Sequence, residues 1–504
     1  MEVERHFFYE RCSETKPEAN NQKPRATKQK QMKLKNILYT LLFVGLFSSN
    51  ALAQKGGYSI HISIDGISDT LAYLAFYMGD KIYVKDTAIV EKGALTFEND
   101  SDTLKGGVYI LAGQASNKYF DFLINENTHF SLKTSIDNLV EEMEVENSPE
   151  NALFYSYIAR LNKAQEERIT FDKLLERENT PKDSIAYAHK QLSLINERVD
   201  SIRNTMIETH KGTFFSSLIR STIPAEIPPL PLLPDGSPDS SQLWYLYKSS
   251  FWDHYDLSDD KILRTPEFTK KVDNYFDNVV FQHPDSLSVA IDAFIAKTEG
   301  TEDLYKYLIW DLTFKYERPK IMGLDEVYVH MAKRYYESGI DTWNNPTVVK
   351  NIIDKAHKIE PLLLGKKAPN LILMDTLNNL VQLYQVKARY TLVFFWEPDC
   401  GHCKKEVPHT KKLYTDFKDK YDFQIYAVCC DTSFRKMKRY ITKNQLNWIN
   451  VNGYYSASGD FHDLYDVYST PVMYLLDEEK KIVAKHLLSE DIQLLIEDLE
   501  KRKE

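Results

Sequence analysis

The stretch from Tyr390 to Cys403 constrains the fold more than any other part of this chain. Tyr390-Thr391-Leu392-Val393-Phe394-Phe395-Trp396 is a near-continuous apolar run, the pattern of a strand covered on both faces. It breaks at Glu397-Pro398-Asp399. Cys400-Gly401-His402-Cys403 then opens a helical texture that runs to about Lys418. A strand that turns into a helix at Cys-x-x-Cys places the first sulfur at a helix N-terminus. Free N–H groups and the helix dipole there favour the thiolate, the form that attacks a disulfide. The second Cys, three residues on, shares that helix face and can resolve a mixed disulfide. His402 between them is expected to lower the Cys400 pKa and make the couple more oxidising. Half of a zinc site is the competing reading. It needs two further ligands, and the remaining candidates, Cys429 and Cys430, are adjacent rather than spaced as Cys-x-x-Cys.

The rest of the C-terminal texture alternates. Phe423–Cys429 reads as a second buried strand, followed by a helix near Phe434–Lys443, a strand at Trp448–Val451 and a short helix near Phe461–Val467. Val472–Leu476 and Lys481–His486 read as a hairpin around Asp477-Glu478-Glu479-Lys480, and a helix over Asp491–Lys501 closes the chain. This is an α/β order. Cys429 and Cys430 end the second strand, where neighbouring side chains face opposite ways, so at most one can approach Cys400. Two buried small hydrophobes is the favoured reading of that pair.

Trp396, Cys400-Gly401-His402-Cys403 and Thr470-Pro471, directly before Val472, together resemble the thioredoxin superfamily. The resemblance implies a cis Thr470–Pro471 bond in a loop facing the cysteines. Gly365-Lys366-Lys367-Ala368-Pro369-Asn370 and Cys403-Lys404-Lys405-Glu406-Val407-Pro408 are similar to segments of the TlpA/ResA-like envelope thiol–disulfide oxidoreductases. That likeness implies a site of Cys400, Cys403, His402, Trp396, Thr470 and Pro471, with Glu406 near the thiols as an acid–base tuner. It implies no cofactor and no metal. Its partners would be disulfide-containing or dithiol envelope proteins and a membrane electron donor. Taken alone, Glu406 is equally a surface helix residue. Two positions depart from the pattern. Phe394 stands where thioredoxins carry a buried Asp, so Glu406 or Glu397 would have to relay protons. His402 is closer to disulfide isomerases, which leaves the direction of electron flow open. Peroxiredoxins share the fold but place Pro and then Ser or Thr well before the reactive Cys; here Pro398 is two residues away with no Ser or Thr between.

Upstream, 504 residues with 43% hydrophobic content exceed one core and supply several. Lys33 and Lys35, the apolar run Ile37–Phe47 and Ala51-Leu52-Ala53 have the order of a secretory signal peptide. The run is shorter than the roughly 20 residues of a spanning helix; an uncleaved anchor is the alternative. Residues 1–53 are therefore read as leader and signal peptide with a natural start at Met32, which removes Cys12 and sends the chain to the periplasm or cell envelope. Of the five cysteines, the other four all lie in the last domain, pointing to redox work there. The net charge of −10 has its acidic surplus upstream, and nothing reads as a nucleic-acid footprint.

Residues 55–145 are expected to form a β-rich, sandwich-like module. Tyr58–Ile64 alternates strictly, and short strands follow at Ala72–Tyr77, Ile82–Thr87, Ala94–Phe97, Val108–Leu111, Phe120–Ile124 and His129–Leu132. Residues 146–358 are expected to be helical. Ser148-Pro149 and Thr180-Pro181 are start signals, and Leu192, Ile195, Val199, Ile202 and Met206 form one stripe of a helical hairpin. Trp244, Tyr245, Tyr247, Phe251, Trp252 and Tyr255 fit core packing better than a peptide groove. Residues 359–504 are expected to form the thioredoxin-like redox domain that the resemblance implies. This three-module order resembles that of Gram-negative envelope redox proteins. The functional expectation is an exported thiol–disulfide oxidoreductase acting on envelope proteins; the alternative is a client-binding, chaperone-like protein with secondary redox activity.

Overall fold

The computed structural model describes residues 57–503 apart from 116, 178 and 179, so the expected leader and signal peptide lie outside the described residues. The first eight strands are β1 (Tyr58–Asp65), β2 (Leu71–Met78), β3 (Lys81–Ile89), β4 (Ala94–Asn99), β5 (Gly107–Gly113), β6 (Lys118–Ile124), β7 (His129–Ser135) and β8 (Glu144–Glu146). They build two four-stranded sheets, ordered β4-β1-β7-β8 and β3-β2-β5-β6. The alternation in β1 turns Tyr58, Ile60, Ile62 and Ile64 inward, where they share one apolar core with Leu74, Leu111 and Phe122 of the facing sheet. The sequence pattern does not show β8, which is three residues long and charged at both ends.

Helix α1 (Pro149–Leu175) starts at the expected proline, but the Ser148 hydroxyl does not cap it. Ser148 instead accepts from Asn151 Nδ2 at 2.8 Å. The buried Asn151 amide also pairs with both the N–H and the carbonyl of Leu123, pinning the helix to β6. α2 (Lys182–Thr209) begins one residue after Pro181, and the Thr180 hydroxyl bonds back to Leu174 and Arg177 carbonyls. Its apolar stripe lies against α1. α3 (Phe214–Ser221) leads into a segment without helix that carries Pro224, Pro228, Pro229, Pro231, Pro234 and Pro238.

Next come α4 (Leu243–Ser250), α5 (Phe268–Asn274), α6 (Pro284–Ala296), α7 (Asp303–Lys315), α8 (Asp325–Met331) and α9 (Pro346–Ile359) around one aromatic-rich core. Phe251, Trp252 and Tyr255 belong to that core as expected, whereas Trp244 and Tyr245 are exposed. Arg264, 4% exposed, joins this module to the sandwich by donating to the Gly106 carbonyl and to Asp303.

The last domain is a seven-stranded sheet ordered β10-β9-β13-β12-β11-β14-β15. Its strands are β9 (Ile372–Asp375), β10 (Leu380–Gln382), β11 (Tyr390–Trp396), β12 (Phe423–Cys429), β13 (Ile449–Ser456), β14 (Val472–Leu476) and β15 (Ile482–Lys485). Its helices are α10 (Gly401–Phe417), α11 (Phe434–Asn444), α12 (Phe461–Tyr465) and α13 (Ser489–Lys501). All seven β11 residues are buried, and the strand lies between β12, parallel, and β14, antiparallel. One face carries Phe394, Trp396 and Cys429 towards α10, α11 and α13; the other carries Phe395, Tyr426 and Cys430 towards α12.

Candidate functional site

The register of β11 against β14 builds the site. Phe395 lies opposite Val472, so Thr470 and Pro471 come alongside the turn that follows Trp396. The Thr470–Pro471 bond is cis. Cys400 is the N-cap residue of α10, half-buried, and its sulfur accepts from the Cys403 N–H at 3.2 Å. The Cys400 thiol also donates to the Thr470 carbonyl at 3.3 Å. Cys403, one helical turn on, is fully buried in the core that holds Trp396.

The two sulfurs are thereby polarised. Burial alone would raise the Cys400 pKa. Hydrogen bonds from the Cys403 thiol and N–H, from the Thr470 side chain and from the His402 N–H outweigh it and hold the thiol below its ordinary value. Burial, reinforced by the Cys400 thiol, pushes Cys403 up to about 12. One sulfur is accessible and acidic; its neighbour is covered and protonated.

Other expected residues take different places. The His402 side chain is exposed, and its main-chain N–H is among the groups that lower the Cys400 pKa. Glu406 is 8% exposed, and its carboxylate accepts the Ser489 N–H at 2.8 Å. Ser489 opens α13, which has no side-chain cap of its own. Glu406 therefore caps a neighbouring helix end, where a negative charge suits the dipole, and hydrogen-bonds neither thiol. Trp396 is fully buried, with its ring 5.1 Å from that of Tyr440. Phe394 is packed in the core, with no carboxylate at that position.

Cys429 and Cys430 are buried in the two opposite cores. Burial pushes Cys429 up to about 12 and Cys430 still higher. Sequence reasoning missed α11's part in the site. Tyr440 lies close enough to both thiols for their charge to raise its pKa further, after burial. Lys436 holds Asp399, next to Cys400, at 2.9 Å. The spacing of Phe434, Met437, Tyr440 and Ile441 marks an inward helix face but not which residues it meets. Among the described residues, no group of three or more His, Cys, Asp or Glu is placed to hold a metal ion.

The family model described as AhpC/TSA family matches residues 364–485. Two domains of unknown function, DUF4369 and DUF5106, match residues 58–154 and 196–358. Thiol-disulfide oxidoreductase ResA of Bacillus cereus (strain ATCC 10987 / NRS 248) is 25% identical over 138 residues, 27% of this chain and 75% of that protein. ResA of Bacillus subtilis (strain 168) is 29% identical over 124 residues, 25% of this chain and 67% of that protein. Among solved structures, a domain described as a possible thiol-disulfide isomerase from Cytophaga hutchinsonii is 38% identical. It covers 28% of this chain and 96% of its own, with a TM-score of 0.27. The chain thus carries a C-terminal AhpC/TSA-type, thioredoxin-like domain with homologues among ResA-like thiol–disulfide oxidoreductases, and two domains of unknown function ahead of it.

Proposed function

We propose that this protein is exported and reduces or exchanges disulfides in envelope proteins through Cys400 and Cys403. The observation that carries the reading is the polarised pair: an accessible thiol of lowered pKa at a helix N-terminus, above a buried thiol pushed to about 12. The Cys400 thiolate attacks one sulfur of a client disulfide. The client S–S bond breaks, a Cys400–client disulfide forms, and the departing client thiolate takes up a proton. Cys403 then gives up its proton and attacks the Cys400 sulfur. The mixed disulfide breaks, the client leaves with both sulfurs reduced, and the pair holds the disulfide after giving up two electrons. Run backwards, the same steps oxidise a client dithiol. Net reduction requires a dithiol donor, which we assign to a membrane protein of the envelope. Thr470, Pro471 and Trp396 position the two sulfurs in this scheme.

Export rests on Lys33, Lys35, the Ile37–Phe47 run and Ala51-Leu52-Ala53. No helix among the described residues is long and apolar enough to cross a membrane. N-terminal sequencing of envelope-purified protein should begin at Gln54; retention of Ile37–Phe47 would indicate an anchor instead.

One observation favours the client-holding alternative. An open cavity of about 500 Å³ in the helical module is walled by Trp252, Tyr275 and Phe294 and edged by Lys248 and Lys297. A turnover assay separates the two readings. Multiple rounds of dithiol-dependent reduction of a protein disulfide support the oxidoreductase; stoichiometric client binding without turnover supports the holder.

A further inference from the structure

The helical module contacts the segment that leads into the redox loop. Lys355 and Lys358, one turn apart at the C-terminal end of α9, face the segment that leads into Thr470-Pro471. Lys355 Nζ lies 2.7 Å from Asp466 Oδ2, with the two side chains 23% and 19% exposed. Lys358 Nζ lies 2.7 Å from Asp463 Oδ1 and 3.0 Å from the Tyr468 hydroxyl. Asp466 ends α12 in a left-handed conformation, φ 53°. Its second oxygen, Oδ1, is buried without a hydrogen-bond partner. Its carboxylate therefore depends on Lys355 as counter-charge, because a buried charge stripped of its partner is costly. Only Val467, Tyr468 and Ser469 separate Asp466 from Thr470, and Val467 is itself buried. The Thr470 carbonyl is the one that meets Cys400. An unbroken path of ion pair, short segment and hydrogen bond thus joins the domain of unknown function at residues 196–358 to the half-buried sulfur of Cys400.

We propose that Lys355 and Lys358 are positioning residues for the redox centre: through Asp463, Asp466 and Tyr468, the helical module fixes the loop that sets Thr470 against Cys400. The module thereby tunes a reaction whose sulfurs it does not touch. This rests on the reading of Cys400–Cys403 as the reacting couple. Lys355 is the stronger of the two, because its pair is the less exposed. Freeing the loop withdraws the Thr470 side chain, whose hydrogen bond lowers the Cys400 pKa, so the thiolate loses support and the couple becomes more reducing.

The test uses the full chain in a glutathione redox titration, with alkylation of Cys400 followed against pH. Lys355→Ala should shift the equilibrium constant with glutathione about threefold towards the oxidised protein, which is about 14 mV, and raise the pH at which Cys400 becomes reactive. Lys355→Arg should restore both. Lys358→Ala should move both in the same direction by less. Lys350→Ala, on the same helix but paired within it to Asp354, should move neither. Lys355→Ala with the wild-type constant and alkylation profile would overturn the proposal. If Lys355→Ala fails to fold, an unshifted Lys358→Ala overturns it equally. A wild-type chain with no Cys400–Cys403 couple would instead bring down the oxidoreductase reading itself, and this inference with it.

Discussion

Two pairs of cysteines lie at the ends of adjacent parallel strands, and they differ in almost everything that governs sulfur chemistry. Cys400 and Cys403 follow β11, across a turn and into a helix N-terminus; Cys429 and Cys430 lie at the end of β12. Trp396 and Cys429 are even register partners. Yet Cys400 is half-buried with a lowered pKa, while Cys429 and Cys430 are enclosed in opposite cores with raised ones. Backbone hydrogen bonds reach the sulfurs of both pairs, but at the strand end burial outweighs them, whereas at the partly open helix terminus they outweigh burial. Reactivity here is a property of backbone position before it is a property of cysteine.

The sharpest way to break the comparison is substitution. Cys400→Ser should reduce turnover of a model disulfide to the uncatalysed rate. Cys403→Ser should accumulate a covalent client adduct, visible on a non-reducing gel. Cys429→Ala and Cys430→Ala should do neither, and activity lost in either would mean that the second pair takes part.

Alkylation at neutral pH comes next in size. A thiol of pKa about 12 is ionised to roughly one part in 10⁵ at pH 7, so iodoacetamide should label Cys400 at least about 100-fold faster than Cys403 or Cys429 in the native chain. The rate at Cys400 should fall as the pH drops through its lowered pKa and level off above it. Mass spectrometry of the alkylated peptides gives the order directly; equal labelling would erase the distinction.

The smallest shift sharpens what the helix terminus contributes. His402→Pro removes the N–H that supports Cys400. The pKa should rise, and a rise of about one unit, about 1.4 kcal/mol, would make the couple roughly 30 mV more reducing. His402→Ala keeps the N–H and should change little. Equal shifts for both variants would show that the imidazole, not the backbone, does the tuning.

The sequence made the central features legible where they are local. An apolar run, a turn and Cys400-Gly401-His402-Cys403 locate a strand, a helix start and a thiolate within fourteen residues. It did not show the partner of Glu406, because helical spacing shows which face a residue occupies but not what packs there. Ser489, which claims that carboxylate, is 83 positions away. Lys355 and Asp466, 111 apart, were invisible for the same reason. Strands β9 and β10 escaped because four and three residues are too few to set up an alternation. Ser148 has the composition of a cap, yet a long-range need, the joint between Asn151 and Leu123, claims the residues beside it.

Because Cys403 is enclosed beneath Cys400, a client arriving at this site meets a single sulfur. The first step is bimolecular and senses the client's shape, charge and access. The second is an intramolecular closure whose attacking atom never leaves the core. Selection is thus confined to arrival, and the partition between release and reversal depends on the leaving sulfur rather than on the bulk of the chain attached to it. A folded protein and a short peptide joined to Cys400 through thiols of equal acidity should be discharged at the same rate.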